Sequence, residues 1–134
     1  MILGIGTDII ETARFADITE KTHFLERIFT EDERARILAS GAMAPQRAAG
    51  IFTAKEAAAK ALGTGFADGV RPCEIETVKN AGGSVSLCFH GQAQERFLAI
   101  GGRKAFLSIS HIEGTACAFA VLEGETPRAS DEKG

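Results

Sequence analysis

The stretch from Pro45 to Leu62 constrains the fold more than any other part of the chain. Proline is tolerated in a first helical turn, and Gly63 supplies the residue just past a helix end. The interior is rich in alanine, which has the highest helix propensity and leaves a smooth surface able to pack closely on a sheet. The longest helix is therefore expected over 45–62. At about 100° per residue, Ala48, Ile51, Phe52, Ala59 and Leu62 form one apolar face. Lys55 falls inside that arc and Glu56 on its border, so charge enters a surface that should be buried.

Around this helix the remaining pattern is mixed. Ile2 to Ile10 reads as a buried strand, with Gly4 and Gly6 where another backbone can approach. Short helices are expected over 11–18 and 23–29. Thr30-Glu31-Asp32-Glu33 is a capping box opening a helix that runs to about Ser40. Beyond Gly69, strands are expected over 74–78, 84–89, 104–110 and 115–122, with a helix over 92–100. Asn80-Ala81-Gly82-Gly83 and His111-Ile112-Glu113-Gly114 are hairpin turns. The whole predicts an α+β fold, a largely antiparallel sheet packed against a long central helix. A single domain is expected over 1–123, with a polar, flexible tail over 124–134.

Composition narrows the class. A chain of 134 residues, 45% hydrophobic, suits one globular domain. A formal charge of −3 argues against a dedicated nucleic-acid binder. Met1 to Ile10 lacks a basic leader and a cleavage site, and Asp8 interrupts it, so it reads as neither signal peptide nor membrane span. A soluble cytoplasmic protein is expected. Cys73, Cys88 and Cys117 are spread apart and read as reduced, structural thiols. With His23, His90 and His111 they show no ligand spacing, so no zinc site is expected.

Three clusters could carry chemistry. Asp8 lies within an apolar strand, where a carboxylate needs a partner or a metal, unless it faces outward or caps the next helix. Glu56 and Lys60 are spaced i, i+4, which also suits a solvated helix salt bridge. Their helix ends in Gly63-Thr64-Gly65, a loop permissive enough for a ligand to approach the backbone. It follows the helix, unlike the phosphate loop of nucleotide hydrolases. Ser108-Ile109-Ser110-His111 ends a strand; no nucleophile elbow surrounds either serine, and the histidine also suits a turn. Gly4-Ile5-Gly6 lacks the third glycine of a dinucleotide fingerprint. Taken together, two carboxylates, Asp8 and Glu56, are what Mg²⁺ uses beside phosphate oxygens. Lys60 would neutralise charge on a phosphate during transfer, and the implied substrate is a phosphate or pyrophosphate ester.

Three segments then acquire a common meaning: Gly4-Ile5-Gly6-Thr7-Asp8-Ile9-Ile10-Glu11, Phe52-x-x-Lys55-Glu56-Ala57-x-x-Lys60-Ala61-Leu62-Gly63-Thr64-Gly65, and Ser108-Ile109-Ser110-His111. In residues, order and separation they resemble the holo-acyl-carrier-protein synthases. The resemblance spans Met1 to about Glu123 and implies a Mg²⁺-dependent transferase of fatty acid biosynthesis. Such an enzyme moves 4′-phosphopantetheine from coenzyme A to a serine of apo acyl carrier protein, releasing adenosine 3′,5′-bisphosphate. By that resemblance Asp8 and Glu56 hold the metal, and Glu56 accepts the serine proton directly or through a water. Lys60 contacts the pyrophosphate, Gly63 and Gly65 belong to the coenzyme A site, and Ser110 and His111 lie near its nucleotide end. The family is a homotrimer with sites between subunits. Arg14 matches a docking arginine for the acidic carrier protein, and Lys21 and Arg27 fall in the same basic region.

The chain departs from the family twice. Ile51 stands where an arginine usually precedes the Phe, leaving Lys55, Arg47 or a neighbouring subunit to supply the charge. Gly82-Gly83-Ser84 replaces a Gly-x-Pro turn. A non-catalytic module that binds coenzyme A or carrier protein is the alternative reading. An interaction trimer whose carboxylates are caps and salt bridges is a third.

Overall fold

The computed structural model describes residues 1–126. The alanine-rich segment forms helix α3, Ala44–Ala61, with Gly63 beyond it at φ 84°. Ahead of it come strand β1 (Ile2–Glu11), helix α1 (Thr22–Ile28) and helix α2 (Glu31–Ala39). After it come β2 (Ile75–Lys79), β3 (Val85–Phe89), helix α4 (Gly91–Ala99), β4 (Gly102–Ile112) and β5 (Thr115–Gly124). Two antiparallel sheets result, β1-β5-β4 and the hairpin β2-β3.

The three-stranded sheet carries α3 on one face. Alternation along β5 turns Ala116, Ala118, Ala120 and Leu122 inward, and all four are buried. Residues 4, 6, 8 and 10 of β1 share that inner face. The glycines there answer to steric need: a Cβ on Gly4 would stand 2.0 Å from the Ala61 carbonyl oxygen, and one on Gly6 1.9 Å from that of Ala57. The helix axis thus approaches the strand more closely than any side chain would permit. Two hydrophobic clusters follow, one between α3, β5 and α4, the other under α1, α2 and the first half of α3.

Several expected elements shift. The helix expected over 11–18 is two 3₁₀ turns, Thr12–Phe15 and Ile18–Glu20, neither with a side-chain cap. The last hairpin is tighter than expected, because β4 continues through His111 to Ile112 and leaves Glu113-Gly114 as the turn. Gly124, placed in the expected tail, closes β5. Residues 127–134 of that tail lie outside those described.

The capping box forms as expected, and Glu33 does more than cap. Thr30 N donates to Glu33 Oε1 at 2.9 Å, while Glu33 Oε2 accepts from Thr77 N and Oγ1, each at 2.8 Å. Lys55 Nζ sits 2.6 Å from Glu33 Oε1 and donates to the carbonyls of Ile75 and Pro72. Both side chains are fully buried. Burial pulls the Lys55 pKa down, and the Glu33 charge and hydrogen bond oppose that. The lysine inside the apolar arc is therefore an internal strut joining α2, α3 and β2.

Candidate active site

Inner-face alternation on β1 and the close seat of α3 bring Asp8 against the helix. Asp8 Oδ2 accepts from Thr53 Oγ1 at 2.7 Å, and Lys60 Nζ lies 3.2 Å from Oδ1. Lys60 also donates to the Thr7 carbonyl at 3.0 Å. Asp8 is thus neither a helix cap nor outward-facing. Lys60 pairs with Asp8, and no ion pair joins it to Glu56 among the described residues.

Glu56 stands half-buried near the same group. Burial first, and then the negative charge of Asp8, push its carboxyl pKa above the ordinary range; Lys60 and Arg14 pull it back. Among the described residues its carboxylate takes part in no hydrogen bond or ion pair, whereas Asp8 has two partners. A free, proton-hungry carboxylate beside a second, oriented one is an oxygen donor pair suited to a hard divalent cation. The residues present fit such an ion, which would relieve the repulsion between them.

The basic residues gather on the neighbouring surface. Arg14 lies with its guanidinium 5.9 Å from the Phe52 ring centroid, and Arg27 lies 6.0 Å from that of Phe24. Arg14 and Lys21 line one cleft with Phe15, Ile18 and Phe24. All three basic side chains are exposed.

The remaining candidates stand at other points along α3 and β4. Gly63 and Gly65 follow the C-terminal end of α3, both with positive φ. His111 lines a cleft at the other half of the helix with Arg36, Arg47, Gly50 and Ile51. Ile51 lies ten residues before Ala61, the last residue of α3, about 15 Å of helix. Ser110 and His111, being adjacent in β4, point to opposite faces of the sheet: Ser110 is paired with Cys117 on the outer face, His111 with Ala116 on the inner.

The residues around Ile51 differ in what already holds them. Ile51 is buried, and Lys55 is committed to Glu33. Arg36 donates to the carbonyl and hydroxyl of Thr77. Arg47, one turn before Ile51, is exposed in the cleft that Ile51 and His111 line, and among the described residues its one hydrogen bond runs from Nε to Ser40 Oγ at 3.3 Å. Thr53 escaped the sequence reading; its signal was a hydroxyl on α3 three residues before Glu56.

The sequence pattern of the 4′-phosphopantetheinyl transferase superfamily matches residues 4–120. The chain belongs to that superfamily. A holo-[acyl-carrier-protein] synthase of Solidesulfovibrio magneticus is 47% identical over 129 residues, covering 92% of this chain and all of its own. That of Koribacter versatilis is 44% identical, covering 92% and 99%. The crystal structure of the Neisseria meningitidis synthase superposes on this transferase with a TM-score of 0.80 at 35% identity, covering 92% of this chain and 99% of its own. The Bacillus anthracis synthase, solved in complex with CoA (3′,5′-ADP), gives 0.77 at 37% identity, covering 93% and 99%. The α+β architecture with antiparallel sheets is the architecture of these relatives.

Proposed function

We propose that Asp8 and Glu56 hold Mg²⁺ and that Lys60 meets the pyrophosphate of coenzyme A. The protein is a holo-acyl-carrier-protein synthase: it transfers 4′-phosphopantetheine from coenzyme A to apo acyl carrier protein. The observation that carries the site assignment is the convergence of Asp8, from the sheet, with Glu56 and Lys60, from the helix. When bound, the ion supplies charge neutralisation at the phosphate oxygens.

The chain's own groups do the rest. The carrier serine oxygen bonds to the pantetheine-side phosphorus, and the bond from that phosphorus to the bridging oxygen breaks. Adenosine 3′,5′-bisphosphate leaves with the bond's electron pair. Glu56, whose proton affinity is raised, takes the serine proton. Lys60 adds positive charge to the departing phosphate. Thr53 keeps Asp8 aimed at the site.

Gly63 and Gly65 contribute backbone at one end of coenzyme A, while His111 and Ser110 serve its nucleotide end, with Arg47 as the cation that Ile51 lacks. Because these ends lie far apart on one chain, we assign them to sites shared between copies in a homotrimer. The outer sheet face supports that reading: Ile5, Ile9, Phe106 and Phe119 expose 69, 71, 48 and 58% of their surface. Arg14, Lys21 and Arg27 form the proposed docking surface for the acidic carrier. No helix among the described residues is long and apolar enough to cross a membrane. Three free thiols accord with action in the cytoplasm, in support of fatty acid synthesis.

Asp8→Asn and Glu56→Gln test the assignment. Each should reduce transfer at least a hundredfold at saturating coenzyme A; a near-normal rate in either removes that residue from the metal site.

A further inference from the structure

The hairpin β2-β3 brings together three side chains that the transferase site does not use. Glu76 and Cys88 are direct partners across the antiparallel pair, so both project from one face. His90 follows Cys88 by two residues and continues the same alternation. Burial agrees with this: Ile75, Thr77 and Phe89 turn into the protein, whereas Cys88 and His90 are exposed and Glu76 is half-buried. One carboxylate oxygen, the Cys88 sulfur and one ring nitrogen all lie within 4.8 Å of one another.

The carboxylate is already oriented. Glu76 Oε1 lies 3.0 Å from His90 Nε2, and Oε2 accepts from Thr30 Oγ1 at 2.7 Å. Thr30 is the N-cap of α2, so the cluster is tied to a helix start as well as to the hairpin. We propose that Glu76, Cys88 and His90 form a Zn²⁺-type metal site with a fourth position open to water. Thiolate, imidazole and carboxylate together favour zinc over the harder ions that an all-oxygen pair selects. Bonds of about 2.0–2.3 Å place tetrahedral ligand atoms about 3.3–3.7 Å apart. Closing to that spacing takes side-chain rotation at a surface where Cys88 and His90 are exposed. Binding displaces the Cys88 thiol proton to solvent, and His90 ligates as neutral imidazole.

Sequence spacing could not reveal the site, because Cys88-x-His90 supplies only two ligands and the third comes across the hairpin. It shares no residue with the Asp8–Glu56 pair. The bound ion would clip β2, the β3–α4 junction and, through Thr30, the start of α2.

The test uses the full chain freed of metal by chelation and titrated with Co²⁺ alone. The expected result is a thiolate-to-cobalt charge-transfer band that saturates at one equivalent and is displaced by Zn²⁺. Cys88→Ser should abolish it, Glu76→Gln and His90→Gln should weaken Co²⁺ affinity at least about tenfold, and Cys73→Ser and Cys117→Ser should leave it intact. Zn²⁺ should raise the melting temperature of the native chain more than that of Cys88→Ser. Absence of the band, or its survival in Cys88→Ser, would overturn the proposal. Transfer by Cys88→Ser with Mg²⁺ at the native rate would confirm that the two metal sites are separate; its loss would contradict that separation.

Discussion

Glu56 and Lys55 are adjacent in sequence, and the fold sends them to opposite duties. Lys55 closes a buried network with Glu33, Ile75 and Pro72, while Glu56, beside Asp8, has no partner among the described residues. The sequence marked both as charge entering an apolar arc and offered Lys55 as a phosphate contact; its pairing with Glu33 was not legible, because Glu33 arrives from another helix. Lys55→Met should leave Glu33 buried without a counter-charge and cost about 3–5 kcal/mol, read from the urea midpoint. Glu56 predicts the reverse. Its folded pKa is raised, so the folded chain holds that proton more tightly than the unfolded one; this favours folding below the ordinary carboxylate pKa and is lost as pH rises through the folded value. Glu56→Gln, permanently neutral, should therefore melt higher than the native chain at neutral pH without added metal. That gain should vanish as pH falls below the ordinary glutamate range. An unchanged difference across pH would show that burial and Asp8 do not tax the charge.

At the scale of elements, the packing of β1 on α3 brings the proposed site residues together. Gly4 and Gly6 were legible as places of close approach, and the alanine-rich helix as the partner that could approach. What was not legible was that their alternation also delivers Asp8 to Thr53 and Lys60. Gly6→Ala would place a methyl 1.9 Å from the Ala57 carbonyl oxygen. The helix must withdraw, at a cost of about 1–3 kcal/mol in thermal or urea unfolding. Transfer should fall as well, since the same movement separates Asp8 from Glu56 and Lys60. The segment over 11–18 misled because its acidic and apolar residues suit a helix, yet burial of Thr12, Phe15 and Ile18 against the second core is met by two short turns. Those turns carry Arg14 and Lys21 into one cleft.

The whole molecule is where sequence alone says least. Alternation identifies two faces for the three-stranded sheet, but only the folded register shows that Ile5, Ile9, Phe106 and Phe119 share the uncovered one. Arg14→Ala should raise the KM for acyl carrier protein and leave coenzyme A binding intact; equal loss of both would remove Arg14 from the docking surface. If sites are shared between copies, co-folding an Asp8→Asn chain with an Arg47→Ala/His111→Ala chain should restore transfer that neither homo-oligomer has. No restoration would place all these residues within one subunit's site. The most direct test of the central claim is the intact mass of an apo acyl carrier protein incubated with this protein, coenzyme A and Mg²⁺, with and without chelator. Metal-site transfer predicts a gain of one phosphopantetheine group that chelator prevents. No gain across several carriers would contradict the enzymatic reading, and a gain that persists with chelator would contradict the metal role of Asp8 and Glu56.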